Sequence, residues 1–114
     1  MIVHGAGPQL NNRLKHPEYV DGMRVTDEHT LRVAREGFNE TNDALSVAIE
    51  GGVGVKSGVF KSELLDFETW KHVGDVKRVD TTEISEILLR GGVPVITCMG
   101  ETEDGSAFLN INAD

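Results

Sequence analysis

Two glycine pairs constrain this chain more than any other feature, because each closes a helical pattern and opens a β-branched run. Leu31, Ala34, Phe38, Leu45, Ala48 and Ile49 recur at helical spacing before Gly51-Gly52, and Ile84, Ile87 and Leu88 do so before Gly91-Gly92. Glycine just past the last periodic residue stops a helix, since it enters the left-handed backbone region without steric cost. Residues 53–55 and the run Val93-Pro94-Val95-Ile96-Thr97 then read as short buried strands. The chain start has the same grammar. Residues 1–4 are apolar and β-competent, Gly5-Ala6-Gly7 breaks them, and Pro8 opens a helix through Leu10 and Leu14. This alternation predicts an α/β fold: a largely parallel sheet sandwiched by helices, with small hairpins attached.

Local signals fill in the rest. Asp21-Gly22, flanked by Tyr19-Val20 and Met23-Arg24-Val25, is a two-residue hairpin loop. Thr26 or Asp27 caps the long helix that follows, and Gly37 is expected to weaken its middle. Lys56-Ser57-Gly58 reads as a loop, and residues 72–79 as an edge or hairpin strand. Asp80 or Thr81 caps the next helix, and Asp104-Gly105 marks a turn before residues 108–111. There is no internal repeat, low-complexity tract or linker, so the 114 residues read as one domain or part of one.

Composition excludes several functions. A length of 114 residues suffices for a core but is short for a complete two-substrate enzyme. Interspersed charges and a hydrophobic fraction of 39% indicate a globular chain rather than a disordered one. A net charge of -8 without any lysine or arginine run argues against binding nucleic acid or an anionic membrane. The apolar stretches are too short to span a bilayer, and Met1-Ile2-Val3-His4 reads as strand rather than signal peptide. Cys98, in the run Val95-Ile96-Thr97-Cys98-Met99, reads as an inert buried thiol. His4, His16, His29 and His72 lack metal-ligand spacing, so no metal site is expected. Glu101, Glu103 and Asp104 read as a solvated turn tip.

Three places could carry chemistry. Gly5-Ala6-Gly7 joins a strand to a helix, where exposed N–H groups suit an anion, although such a turn also serves as a plain tight connection. Arg24 follows the hairpin tip, where its guanidinium can fork onto a carboxylate or simply point into solvent. In Asn110-Ile111-Asn112-Ala113-Asp114, alternation puts Asn110, Asn112 and Asp114 on one side of an extended segment. That is a polar cluster of the kind α/β sheets set at strand ends, or an ordinary polar chain end.

Taken in order, five stretches resemble the N-acetylglutamate kinase branch of the amino-acid kinase family. They are Val3-His4-Gly5-Ala6-Gly7-Pro8-Gln9, Val20-Asp21-Gly22-Met23-Arg24-Val25-Thr26-Asp27, Ser57-Gly58-Val59-Phe60, Pro94-Val95-Ile96 and Leu109-Asn110-Ile111-Asn112-Ala113-Asp114. The Gly-Ala-Gly and Ser-Gly-Val-Phe versions look closest to kinases related to N-acetylglutamate synthase, including fungal and bifunctional bacterial forms. The resemblance implies an ATP-dependent phosphotransferase acting on the side-chain carboxylate of N-acetyl-L-glutamate, in arginine biosynthesis. It implies that the Gly5-Ala6-Gly7 backbone lies against the acyl-amino acid and the transferred phosphoryl group. Arg24 would grip a substrate carboxylate, Asn110 would hydrogen-bond the same ligand, and Asn112 would support that segment. Asp114 would match the family's catalytic aspartate and orient lysines that neutralise the phosphoryl group.

The resemblance also implies limits. The family's first strand, with its lysine and glycines, has no counterpart here, and neither do the nucleotide lobe and second catalytic lysine. Residues 1–114 are thus expected to be a partial amino-acid kinase domain, the substrate lobe, inactive alone and with an unpaired sheet edge that favours self-association. ATP with Mg2+ would be co-substrate in the complete domain and bound by no part of this segment alone. A homo-oligomer is implied, cytoplasmic for a bacterial source and mitochondrial for a fungal one. The alternative resemblance is to the non-catalytic arginine-sensing domain of N-acetylglutamate synthases, for which L-arginine would be the effector.

Overall fold

The computed structural model describes residues 1–112. In chain order the elements are β1 (Ile2–His4), α1 (Gly7–Arg13), β2 (Tyr19–Val20), β3 (Met23–Arg24), α2 (Glu28–Ala48), β4 (Gly52–Val55) and β5 (Phe60–Leu64). They continue with α3 (Phe67–Trp70), β6 (Gly74–Val79), α4 (Thr82–Leu89), β7 (Val93–Thr97), β8 (Met99–Glu101) and β9 (Phe108–Asn110).

A parallel sheet in the order β1-β7-β4 carries the α/β architecture. Strand β7, the apolar run 93–97, is central, and four of its five residues are buried. Pro94 is tolerated there because β1 pairs only from Val95 onward, so the missing N–H leaves no ladder position empty on that side. Helices flank the sheet. α1 and α2 bury Ala6, Leu10, Ala34 and Phe38 with Cys98, Met99 and Ile111, while α4 buries Ile84 and Ile87 with Val55, Val59 and Ile96. Cys98 is indeed buried in this core.

A second sheet, ordered β6-β5-β8-β9, is mixed: β5 pairs β6 and β8 pairs β9 antiparallel, while β5 pairs β8 parallel. The turn from β8 to β9 is too short for a crossover, which forces the antiparallel pairing. β6 is the edge strand expected for residues 72–79, although it starts at Gly74. β5 and α3 have no strong pattern in the sequence, because Phe60–Leu64 reads FKSEL and Phe67–Trp70 is a single turn.

The punctuation works as the residues suggest. Asp21 and Gly22 both have positive φ, 50° and 80°, the signature of a tight hairpin turn that follows the strand twist. Asp27 caps α2 by accepting from the Thr30 N–H at 2.7 Å. That hydrogen bond holds its carboxyl below the usual carboxylate range. At α4, Thr81 takes the cap position but the oxygen comes from Asp80, which accepts from the Thr82 N–H at 3.1 Å.

α2 runs unbroken through Gly37, which is buried against α1, where a Cβ would stand 3.6 Å from Leu10 Cδ2. One expectation needs correction: Glu101 is not part of a solvated tip. It ends β8, is 9% exposed, and accepts from Lys61 Nζ at 2.9 Å. The parallel register puts Lys61 directly beside it, a neighbour that local sequence does not reveal. Glu103 and Asp104 do lie at the surface, Glu103 accepting from Arg78 Nε at 3.0 Å.

Candidate functional site

Sequence-predicted residues from three separated stretches converge on one cavity of about 290 Å³. Gly5, Ala6 and Gly7 come from the β1–α1 turn, Arg24 from the β2–β3 hairpin, and Asn110 and Asn112 from β9 and the chain after it. Asp114 lies outside the described residues. Leu10, Phe38, Val73 and Ile111 supply an apolar lining, joined by Tyr19 and Cys98. The position follows from the topology, because β1 and β7 end at His4 and Thr97 and their next residues, Gly5 and Cys98, line the cavity. Crevices at the carboxyl ends of parallel strands are where α/β sheets hold ligands.

The charge pattern is selective. Arg24 is the only charged side chain among the described lining residues, and no carboxylate joins it, in a chain whose net charge is -8. Its Nη2 donates to Asn11 Oδ1 at 2.8 Å, and its guanidinium carbon lies 5.1 Å from the Tyr19 ring centroid. Its Nη1 is buried with no hydrogen-bond partner among the described residues. A guanidinium short of one partner, on a residue that lines a cavity, favours an anionic oxygen.

The glycine turn is also informative. Gly5 and Gly7 have no positive φ, and a Cβ on either would meet nothing within 4 Å. Neither backbone conformation nor packing within the described chain therefore requires glycine there. Asn110 is held firmly: its Nδ2 donates to Thr26 Oγ1 at 3.1 Å and its backbone N–H to the His72 carbonyl at 2.9 Å. His72 in turn donates to the Thr26 carbonyl at 2.7 Å, so the chain leaving the hairpin, residue 72 and β9 form one connected unit.

Several contributors escape sequence reasoning. Asn11 joins Arg24 and Tyr19, Thr26 joins Asn110, and Trp70 reaches the hairpin through its indole N–H, 3.0 Å from the Val20 carbonyl. None has a local signal, because each partner is brought near only by folding. A larger cleft of about 340 Å³ opens beside Arg13, Lys15, Glu18, Arg24 and Asp27. Two carboxylates, Glu18 and Asp27, stand there among its three cations, and it touches neither the glycine turn nor Asn110 and Asn112. Among the described residues no group of three or more His, Cys, Asp or Glu could hold a metal ion, and no helix is long and apolar enough to cross a membrane.

The fold is of the α/β class, and its crevice has one cation among the described lining residues, Arg24, presented by a hairpin beside a glycine turn. The smu.665 protein of Streptococcus mutans UA159 has this fold, with a TM-score of 0.87 and 26% identity over 98% of this chain and 50% of that one. The N-acetylglutamate synthase of Neisseria gonorrhoeae, solved with coenzyme A and N-acetyl-glutamate, is alike in fold alone: TM-score 0.77, 21% identity, 97% of this chain and 28% of that one. The chain belongs to the amino acid kinase family, whose match covers residues 1–114. Among curated relatives, the mitochondrial protein arg11 of Schizosaccharomyces pombe is 44% identical over the whole chain, which spans 14% of its length. The acetylglutamate kinase of Xanthomonas campestris pv. campestris is 38% identical, again over the whole chain and 28% of its own length.

Proposed function

We propose that this chain is the substrate-holding part of an acetylglutamate kinase, which phosphorylates the side-chain carboxylate of N-acetyl-L-glutamate with ATP in arginine biosynthesis. The observation that carries the reading is Arg24, the one cation among the described residues lining an otherwise neutral and partly apolar cavity. An N-acylated dicarboxylic acid matches that lining. Arg24 takes a carboxylate, and the acetyl and methylene groups lie against the apolar side chains. The open Gly5 and Gly7 positions let the ligand approach the backbone closely, and Asn110, fixed by Thr26, offers a polar contact. Asn112 supports the same segment.

The attacking carboxylate is ionised at neutral pH, so the chemistry needs no general base. It needs alignment and neutralisation of the charge carried by the phosphoryl group. On this reading Asp114 orients the lysines that do so, and ATP with Mg2+ occupies parts of a longer domain. Residues 1–114 are then a partial domain, inactive alone and homo-oligomeric in the complete protein. Its compartment is the mitochondrion in a fungus and the cytoplasm in a bacterium.

The test is isothermal titration with N-acetyl-L-glutamate, beside an Arg24→Ala variant and an L-arginine control. Binding that weakens at least about thirtyfold in the variant, the effect of removing one partner from a hydrogen-bonded charge pair, supports the proposal. Binding of L-arginine alone would replace it with a regulatory, non-catalytic role. Silence with both ligands would refute the substrate assignment.

A further inference from the structure

We infer that Trp70 is a positioning residue for the cavity: it clamps the β2–β3 hairpin at two points and thereby sets where Arg24 sits. The hairpin makes only two residue pairs, Tyr19↔Arg24 and Val20↔Met23. So small a ribbon has no stability of its own in water, and its place is fixed by what it touches. Yet it supplies Tyr19, Gly22, Met23 and Arg24 to the cavity.

Trp70 holds both arms. Its indole Nε1 donates to the Val20 carbonyl, beside the turn, at 3.0 Å. Its own carbonyl accepts from the Thr26 N–H, just beyond β3, at 2.9 Å. The residue is presented by the single turn of α3, which Asp66 caps by accepting from Thr69 Oγ1 at 2.7 Å and from the Thr69 N–H at 3.4 Å. Lys71 follows with φ 61°, a backbone state uncommon for a residue with a side chain, and one that turns the chain back toward the sheet. Asn11 on α1 is the opposing hold, through Tyr19 and Arg24. The hairpin is thus held between Asn11 and Trp70, neither of which lines the cavity.

The identity of the ligand here rests on the acetylglutamate reading, whereas the clamp does not. The experiment compares the unsubstituted chain with Trp70→Phe, which keeps a ring but loses the donor. Amide hydrogen exchange is read first, without ligand, and titration with N-acetyl-L-glutamate second. Exchange of the Val25 and Thr26 amides should quicken in the variant while the amides of α2 and the thermal midpoint stay put. Affinity should fall about threefold to tenfold, the equilibrium equivalent of one net hydrogen bond.

Unchanged hairpin exchange overturns the clamp. Faster exchange with unchanged affinity overturns the positioning role. If the unsubstituted chain binds nothing, the acetylglutamate reading fails, and exchange alone decides the clamp. Should Trp70→Phe fail to fold, Asp66→Ala, which uncaps the turn that presents Trp70, takes its place with the same two readouts. Unchanged hairpin exchange in that variant overturns the inference.

Discussion

Asn11 and Arg24 are joined by a 2.8 Å hydrogen bond from Nη2 to Oδ1, and the same oxygen accepts from the Tyr19 hydroxyl at 3.2 Å. One short-helix asparagine thus holds the guanidinium and the ring beside it. Such a link orients the cation through Nη2 alone, and Nη1 keeps no partner among the described residues.

Asn11→Ala is therefore expected to lower affinity for N-acetyl-L-glutamate about threefold to tenfold, the effect of one or two net hydrogen bonds. Asn11 is exposed, so stability should change by no more than about 0.5 kcal/mol. Titration and urea denaturation of the same variant separate the two effects. A large loss of stability would mean that Asn11 is structural.

Asn42 on α2 is 0% exposed and donates through Nδ2 to the Val95 carbonyl at 2.8 Å and to His4 Nε2 at 3.0 Å. A carbonyl can only accept, which sets the amide orientation and makes His4 Nε2 the acceptor. The His4 proton then sits on Nδ1, 3.1 Å from the Gly5 carbonyl. Asn42→Leu should cost about 2–3 kcal/mol, because it removes both bonds inside the core and leaves a ring nitrogen unsatisfied. Urea denaturation reads this directly, and a neutral substitution would show the assigned network to be wrong.

Lys61 and Glu101 form an ion pair whose side chains are 14% and 12% exposed. Lys61→Met strands a carboxylate in poor solvent, so it should destabilise by about 3 kcal/mol. Adding Glu101→Leu should recover most of that loss, since an apolar pair of similar size needs no desolvation of charge. A double variant no better than the single one would refute this account.

Asp104 accepts from the Ser106 N–H at 3.0 Å and from the Ser106 and Thr102 hydroxyls, each at 2.7 Å. These bonds, that from the Ser106 backbone first, lower its pKa to about 2. A depressed carboxylate stabilises the fold above its unfolded value of about 3.9 and loses that contribution as pH falls toward about 2. Its carboxyl resonance should titrate near the lower value, and Asp104→Ala should remove this acid dependence from the turn. Titration near the unfolded value would mean that the turn bonds are not formed.

Much of the fold was legible locally. Gly22, Gly51, Gly91 and Gly105 all have positive φ, and each stands where the sequence places a turn or helix stop. A backbone angle that only glycine reaches easily is a property of one residue, and so is a cap oxygen three positions from its donor. The gathering of Gly5, Arg24 and Asn110 was readable only through resemblance to a family, because nothing local ties them together. Of the second sheet only β6 and β9 had a local signal, and neither β5, nor the pairing of the four strands, nor the burial of Glu101 among them was readable.

The sequence by itself determined the order of the main helices and parallel strands, the positions of the turns and the α/β class, since these follow from periodicity and from local backbone preference. Tertiary structure alone decided which groups meet. Asn110 finds Thr26 across 84 residues, Trp70 finds Val20 across 50, and Lys61 finds Glu101 across 40. Each contact depends on strand register and helix packing, which the chain settles only when the whole core closes.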